Sequence, residues 1–325
     1  MPSVVLISGA GGAGTIEIIR TLKEMGCYRI VAIDASPYAY GLKLADAGYV
    51  VPFATAPDFK GAIESIMVKE KPDYVIPLVD EEILAFHTIA EQFSTTVITP
   101  VPHFCRLSLD KWLTCQTLRE AGILVPETWL ATDKDAIKYP AIIKPRSGRG
   151  SRGLACLRRV GDLNVYLERV PDPPQAYVVQ KNIDGREFTV SAVVGLDGQI
   201  LAIVPKEVLI KSGITLAGVT RIVPEIETVC RQIQERLTAN GPFNVQLIID
   251  EQNKPHIFEI NPRYSTTVAL TIAAGVHEVD LVIRHAQGEK FNSPTIFAPD
   301  LMMIRHFAHE YMPESNWAFK YTSER

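Results

Sequence analysis

Short apolar runs alternate with amphipathic stretches through the N-terminal part of the chain. Val4-Val5-Leu6-Ile7-Ser8 predicts a buried strand. From Thr15 to Met25 the apolar residues Ile16, Ile19, Leu22 and Met25 recur at helical spacing. Arg29 to Asp34 predicts the next strand and Tyr49-Val50-Val51-Pro52 a short third one. Phe59 to Lys69 follows as a helix, Tyr74 to Leu78 as a strand, Glu81 to Gln92 as a helix and Thr96 to Ile98 as a last strand. Strands separated by helices need crossover connections, so this α/β region is expected to form a parallel, doubly wound sheet.

The pattern changes after the seam at Pro100-Val101-Pro102-His103. Asp110 is placed to cap a helix that runs to Ala121, with Gly122 as its stop. Strands then come in antiparallel pairs: Ala141 to Lys144 with Leu154 to Arg158, and Glu187 to Gly195 with Ile200 to Val204. Asp197-Gly198 between the last two is a hairpin signal. Pro224 to Asn240 predicts a helix, and Asn244 to Asp250 and His256 to Arg263 a final pair of strands. From His309 onward no periodicity appears. An α/β domain thus precedes an α+β region, without tandem repeats.

At 325 residues the chain is long enough for two or three compact units. A net charge of -4, with no basic run, argues against a nucleic-acid partner. No apolar run reaches membrane-spanning length and the N-terminus lacks a basic leader, so a cytoplasmic protein is expected. The five cysteines are scattered, without a C-x-x-C pair, and read as reduced thiols. His306 and His309 have no further ligands nearby to make a zinc site.

Candidate chemistry concentrates in His256-Ile257-Phe258-Glu259-Ile260-Asn261-Pro262-Arg263. Strand alternation puts Glu259 and Asn261 on one face with Ile257, leaving Phe258 and Ile260 for the core. If the preceding strand is a neighbour, Gln246 joins them. Oxygen donors of this kind suit Mg2+, which is usually held by one or two carboxylates and substrate phosphates. Arg263 offers a bidentate grip on phosphate or carboxylate. Taken alone, the same residues also read as a solvated strand end.

Three further segments carry phosphate or nucleotide chemistry. Gly9-Ala10-Gly11-Gly12-Ala13-Gly14 fits G-x-G-x-x-G between a strand and a helix, with Asp34 ending the next strand. That is the context of a dinucleotide site, so an NAD-dependent oxidoreductase is one open reading, and a tight turn that binds no dinucleotide is another. After Lys144, the small residues Ser147, Gly148, Gly150, Ser151 and Gly153 make a loop between strands, able to close over phosphates or merely mobile and basic. Gln180-Lys181-Asn182 forms a polar hinge between apolar segments. Its backbone can meet an adenine edge, with Glu187 on a ribose hydroxyl, or it is only a turn.

In this order the segments resemble the ATP-grasp superfamily over about residues 1 to 290, nearest its carbamoyl-phosphate-synthase-like branch of ligases. Pro77-Leu78-Val79-Asp80-Glu81-Glu82 and Asn244-Val245-Gln246 belong to the resemblance too. It implies an α/β, Rossmann-like pre-ATP-grasp domain (1–107) followed by an α+β ATP-grasp fold with a small lobe (108–182) and a C-terminal lobe (183–325). It implies ATP and Mg2+ as cofactors, with Lys111 and Lys144 on the phosphates and the loop from Ser147 to Gly153 above them. Gln180, Lys181 and Asn182 would face adenine and Glu187 the ribose. Gln246, Glu259 and Asn261 would hold the metal, and Arg263, with Lys144, would act in catalysis. The expected reaction is ADP-forming ligation of a small-molecule carboxylate to an amine, with Lys206, Lys211 and Arg263 for the carboxylate and Asp80 or Glu81 for the amine. A homodimer is the expected assembly.

The sequence also departs from this branch. Gln180 and Lys181 stand where a Glu is common. Lys211-Ser212-Gly213-Ile214-Thr215 lacks the synthase's histidine, and one unit is present where the synthase has two. Phosphorylation of bicarbonate or carbamate is therefore the alternative to a stand-alone ligase.

Overall fold

The first five strands are β1 (Ser3–Ile7), β2 (Tyr28–Asp34), β3 (Ala47–Val50), β4 (Tyr74–Ile76) and β5 (Thr96–Val97). They pair in parallel in the order β3-β2-β1-β4-β5. The computed structural model describes residues 2–150 and 152–317. Helices α1 (Thr15–Glu24) and α2 (Gly41–Leu44) pack on one face of this sheet, through Ile18, Ile19, Leu22 and Leu42. Helices α3 (Phe59–Glu70) and α4 (Ile83–Ala90) cover the other, through Phe59, Ile63, Phe86 and Ile89. The strand order reverses direction between β1 and β4, so their carboxyl ends open a crevice of the kind in which doubly wound sheets bind ligands.

The predicted seam holds a helix, α5 (Pro102–Ser108), with proline at its first position. Asp110 caps α6 (Lys111–Glu120) by accepting from the backbone N–H groups of Trp112 and Leu113. A four-stranded antiparallel sheet follows: β6 (Thr128–Leu130), β7 (Ala141–Pro145), β8 (Ala155–Leu157) and β9 (Tyr177–Lys181), in the order β6-β9-β7-β8. Helix α7 (Val160–Leu167) closes its small core.

The C-terminal sheet has six strands: β10 (Arg186–Val194), β11 (Ile200–Ser212), β12 (Ile214–Thr220), β13 (Phe243–Ile249), β14 (Pro255–Asn261) and β15 (Met302–Ile304). Their order is β14-β13-β10-β11-β12-β15, antiparallel throughout. One face packs on α5, α6 and α8 (Pro224–Leu237). The other meets α9 (Val268–Ala273) and α10 (Glu278–Ala286), whose Val268, Val279 and Val282 share one core with α1 and β1. A single apolar cluster therefore ties the N-terminal sheet to the C-terminal one. Burying a cluster of this kind contributes about 25 cal/mol per Å² of apolar surface removed from water.

Strand parity differs from the expectation at one place. The β13–β14 register pairs Gln246 with Glu259 but Leu247 with Ile257, which leaves Phe258 as an extra residue. This β-bulge turns Phe258 out of the core and brings Ile257 in, three residues from Ile260, and both isoleucines are fully buried.

Candidate active site

Two cavities flank the loop between β14 and α9. The first, about 510 Å³, lies between the four-stranded and six-stranded sheets. Alternation on β13 sends Val245, Leu247 and Ile249 into the core and Asn244, Gln246 and Ile248 toward this cavity. On β14 the bulge lets Phe258, Glu259 and Asn261 face it together. Gln246 lies opposite Glu259 and Asn244 opposite Asn261. The three oxygen-bearing side chains expected to converge do so.

Lys111 at the start of α6 and Lys144 on β7 approach the same carboxylate. Their Nζ atoms lie 3.9 and 3.8 Å from Glu259 Oε2. Lys111 also donates to the Gly148 carbonyl (2.7 Å) and Lys144 to the Phe258 carbonyl (3.1 Å). Burial pushes the Lys144 ammonium down to about 8, and the neighbouring Lys111 adds to this against the pull of Glu259. Two buried cations sharing one anion leave net positive charge in a low-dielectric site, as a polyanion requires. Seven cationic side chains line this cavity against two carboxylates.

The residues expected around the nucleotide base and sugar line the same cavity. Gln180 is buried and donates to Thr128 Oγ1 and Cys115 Sγ, both at 3.2 Å. The backbone N–H groups of Lys181 and Asn182 already donate to the carbonyls of Glu127 and Pro140, so neither is left for an adenine edge. Lys211 pairs with Glu187 at 2.5 Å, beside Gln246 and Phe258, and not with the residues expected to hold a carboxylate. Ser147, Gly148, Gly150 and Arg152 line the cavity, whereas Gly153 is absent from its lining and Ser151 lies outside the described residues.

The second cavity, about 600 Å³, opens at the carboxyl ends of β1, β2 and β4. Gly9 to Thr15 form its floor, and Gly9 has φ +65° with Val79 pressed close, so a side chain there would clash. Asp34 spends both carboxylate oxygens on backbone, accepting from Gly11 and Ser36 N–H at 2.8 Å each. It braces the glycine turn, which weighs against the ribose contact of a dinucleotide site. The acidic run after β4 forms one 3₁₀ turn, Asp80–Glu82, whose residues splay about 120° apart.

Each therefore does something different. Asp80 grips Arg263 (2.5 Å) and is not on the cavity lining, so it does not face an amine as expected. Glu81 pairs with Arg149 of the glycine-rich loop at 3.1 Å. Glu82 is 5% exposed on the cavity wall, and its Oε2 has no partner. Burial holds its carboxyl up to about 7, with Asp34 and Glu81 adding to this and the Ser8 hydroxyl opposing it. Sequence reading passed over Glu82, although its place in an acidic run after a parallel strand was a usable signal. Phe258 was missed because nothing in the sequence marks the bulge.

Arg263, Ser265 and Thr266 line both cavities, as do Arg149 and Arg152. Lys206 lies on neither: it is 1% exposed and bonded to Ser191 and Thr271, so its expected role on a carboxylate is corrected. The donor set fits a hard cation. It offers the carboxylate of Glu259 and the carboxamide oxygens of Gln246 and Asn261, all on the cavity lining. Among the described residues no group of three or more His, Cys, Asp or Glu is placed to hold a metal ion, so a metal here would depend on phosphate oxygens for its remaining ligands.

Comparison with known proteins agrees with this geometry. Residues 108–267 match the ATP-grasp domain family, and residues 5–101 match the family described as PylC-like, N-terminal domain. The chain is 27% identical over 204 residues to D-alanine--D-alanine ligase of Petrotoga mobilis, covering 56% of this chain and 67% of that protein. It is 22% identical over 346 residues to the carbamoyl phosphate synthase large chain of Xylella fastidiosa, covering 92% of this chain but 32% of that one. The biotin carboxylase domain of Hydrogenobacter thermophilus 2-oxoglutarate carboxylase, solved with MgADP and bicarbonate, superimposes with a TM-score of 0.75 at 19% identity, covering 98% of this chain and 77% of that one. That likeness establishes the fold.

By its two matched domains the chain belongs to the ATP-grasp superfamily. Within it, the chain carries the PylC-like N-terminal domain joined to a single ATP-grasp unit.

Proposed function

We propose that the first cavity holds Mg-ATP and the second an amine, with the activated carboxylate made at the wall they share. The observation that carries this is the contrast in charge. Seven cations against two carboxylates line one cavity, while three arginines and three carboxylates line the other. The first suits a triphosphate, and the second suits a small molecule with an ammonium group. In this reading the chain divides near 107 and 182.

Lys111 and Lys144 bind phosphate oxygens, and the Ser147 to Gly153 loop covers them. Glu187 and Lys211 take the ribose side, and the hinge from Gln180 to Asn182 borders the base. Glu259, Gln246 and Asn261 would hold Mg2+, which when bound would supply neutralising charge to the phosphates. A carboxylate oxygen attacks the γ-phosphorus, the bond to the β–γ bridging oxygen breaks, and ADP leaves. Arg263, oriented by Asp80, stabilises the acyl phosphate. The ammonium of the second substrate gives a proton to Glu82, and the free amine attacks the acyl carbon. The bond from the acyl carbon to the phosphate oxygen then breaks, the remaining extra N–H proton leaves with phosphate, and an amide is formed. Tyr38 and Phe53, 80% and 73% exposed on the rim of the second cavity, suit an amine with an apolar body. Catalysis is positioning and electrostatics throughout.

Phosphorylation of bicarbonate is the weaker reading, because the segment from Lys211 to Thr215 offers no imidazole. Small-molecule partners only, a homodimer and a cytoplasmic setting complete the proposal. Among the described residues no helix is long and apolar enough to cross a membrane.

The test is ATP turnover against a panel of carboxylic acids and amines, amino acids included. ADP and phosphate are expected only with a matched pair. Formation of AMP and pyrophosphate contradicts the acyl-phosphate route.

A further inference from the structure

Lys206 has no part in the chemistry above, yet it is among the largest fully buried side chains of the protein. On β11 it stands opposite Thr189, a residue of the first cavity's floor, so it shares that face of the sheet. Helices α9 and α10 roof it over. Its ammonium donates to Ser191 Oγ on β10 (2.6 Å) and Thr271 Oγ1 on α9 (2.7 Å). Ser191 Oγ in turn donates to Glu278 Oε1 at the start of α10 (3.0 Å). A buried cation and a buried anion are thus joined through two hydroxyls, in a network whose four residues come from four elements.

Stability alone gives no reason for this arrangement. Apolar side chains of equal volume often fill such a site as well or better. What hydroxyl-bridged charges add is direction, because each bond fixes a position and an orientation. Here they fix α9. That helix begins at Val268, with Thr267 at its N-cap directly after the loop carrying Arg263, Ser265 and Thr266. The loop is the wall between the two cavities. Val268, the first residue of α9, is also wedged against Gly14, where a β-carbon would come within 2.7 Å of it. A small rotation of α9 therefore displaces Arg263 and the glycine turn together.

We propose that Lys206 and Glu278, bridged by Ser191 and Thr271, are positioning residues that hold the Arg263 loop in register for phosphoryl transfer. The proposal rests on the ligase reading. It assigns the buried lysine an indirect role and predicts that turnover is more sensitive to the network than nucleotide binding is.

The experiment uses the full chain and compares Thr271→Val, Thr271→Ser, Lys206→Met and the double variant Lys206→Met/Glu278→Gln with wild type. It measures turnover with the matched acid and amine, Mg-ADP affinity by calorimetry, and melting temperature. Thr271→Val keeps the shape and removes the hydroxyl. It is expected to lose about tenfold in kcat with Mg-ADP affinity unchanged within about threefold, while Thr271→Ser stays near wild type. Lys206→Met is expected to lose about a hundredfold and to melt earlier. The double variant regains melting temperature without regaining turnover. The proposal is overturned if the double variant recovers turnover along with stability, if Thr271→Val turns over as fast as wild type, or if the losses appear only as weaker nucleotide binding. Should wild type release no ADP with any acid and amine, the ligase reading fails first and takes this proposal with it.

Discussion

The two cavities are built on opposite plans. The first is walled by strand side chains from two antiparallel sheets, and its chemistry is a surplus of cations around one carboxylate. The second is walled by loops at the ends of parallel strands, and its charges cancel. Strands set side-chain direction every second residue, so apart from the bulge at Phe258 the strand-borne donors of the first site follow a pattern. Loops have no such period, so the second is free to vary with the substrate. A superfamily that keeps one cosubstrate and changes the other is served by that division.

The contrast is broken most severely at Glu259. Glu259→Ala is expected to lower kcat at least about a thousandfold, measured with the protein shown folded by calorimetry. Lys144→Met leaves the metal set intact but removes a phosphate partner. It is expected to weaken Mg-ADP binding about a hundredfold by isothermal titration without altering the amine's KM. Both substitutions should leave the second cavity's selectivity untouched.

Glu82→Gln acts on the other side. It is expected to lower kcat/KM for the amine about a hundredfold, with the KM for ATP unchanged. It also has a pH signature. Glu82 is protonated more readily in the folded chain (about 7) than in the unfolded chain (4.5), so its contribution to stability is fully present below about 4.5 and lost as pH rises through about 7. Across that window it costs about 3 kcal/mol. A neutral carboxamide at this position carries no such cost, so the Glu82→Gln variant should be the more stable protein at pH 8. Denaturant melts of both chains at about pH 4.5 and pH 8 measure the difference. Phe53→Ala is the mildest probe, expected to raise the amine's KM a few-fold through lost apolar contact, by about 1 kcal/mol.

Legibility in the sequence followed the same division. The parallel sheet, the Asp110 cap, the hairpin at Asp197-Gly198 and the convergence of Gln246, Glu259 and Asn261 were all readable, because each depends on local period or turn chemistry. The side-chain direction of Phe258 was not, because a single inserted residue inverts parity and leaves no composition signal. Asp80 and Glu82 were not distinguished, because a 3₁₀ turn sends adjacent carboxylates to different partners. Lys206 read as a substrate ligand because a lysine in an apolar strand suggests a site. Its partners Thr271 and Glu278 are distant in sequence, and their meeting with β11 follows from tertiary packing and not from any local period. The edge strand Met302–Ile304 was likewise too short to stand out.

The central claim is that a carboxylate oxygen becomes bonded to the γ-phosphorus of ATP. Supplying the matched acid with both carboxylate oxygens as oxygen-18, and reading the released phosphate by mass spectrometry, tests it directly. One labelled oxygen should appear in each phosphate formed. Unlabelled phosphate, or label recovered in AMP, would contradict the account.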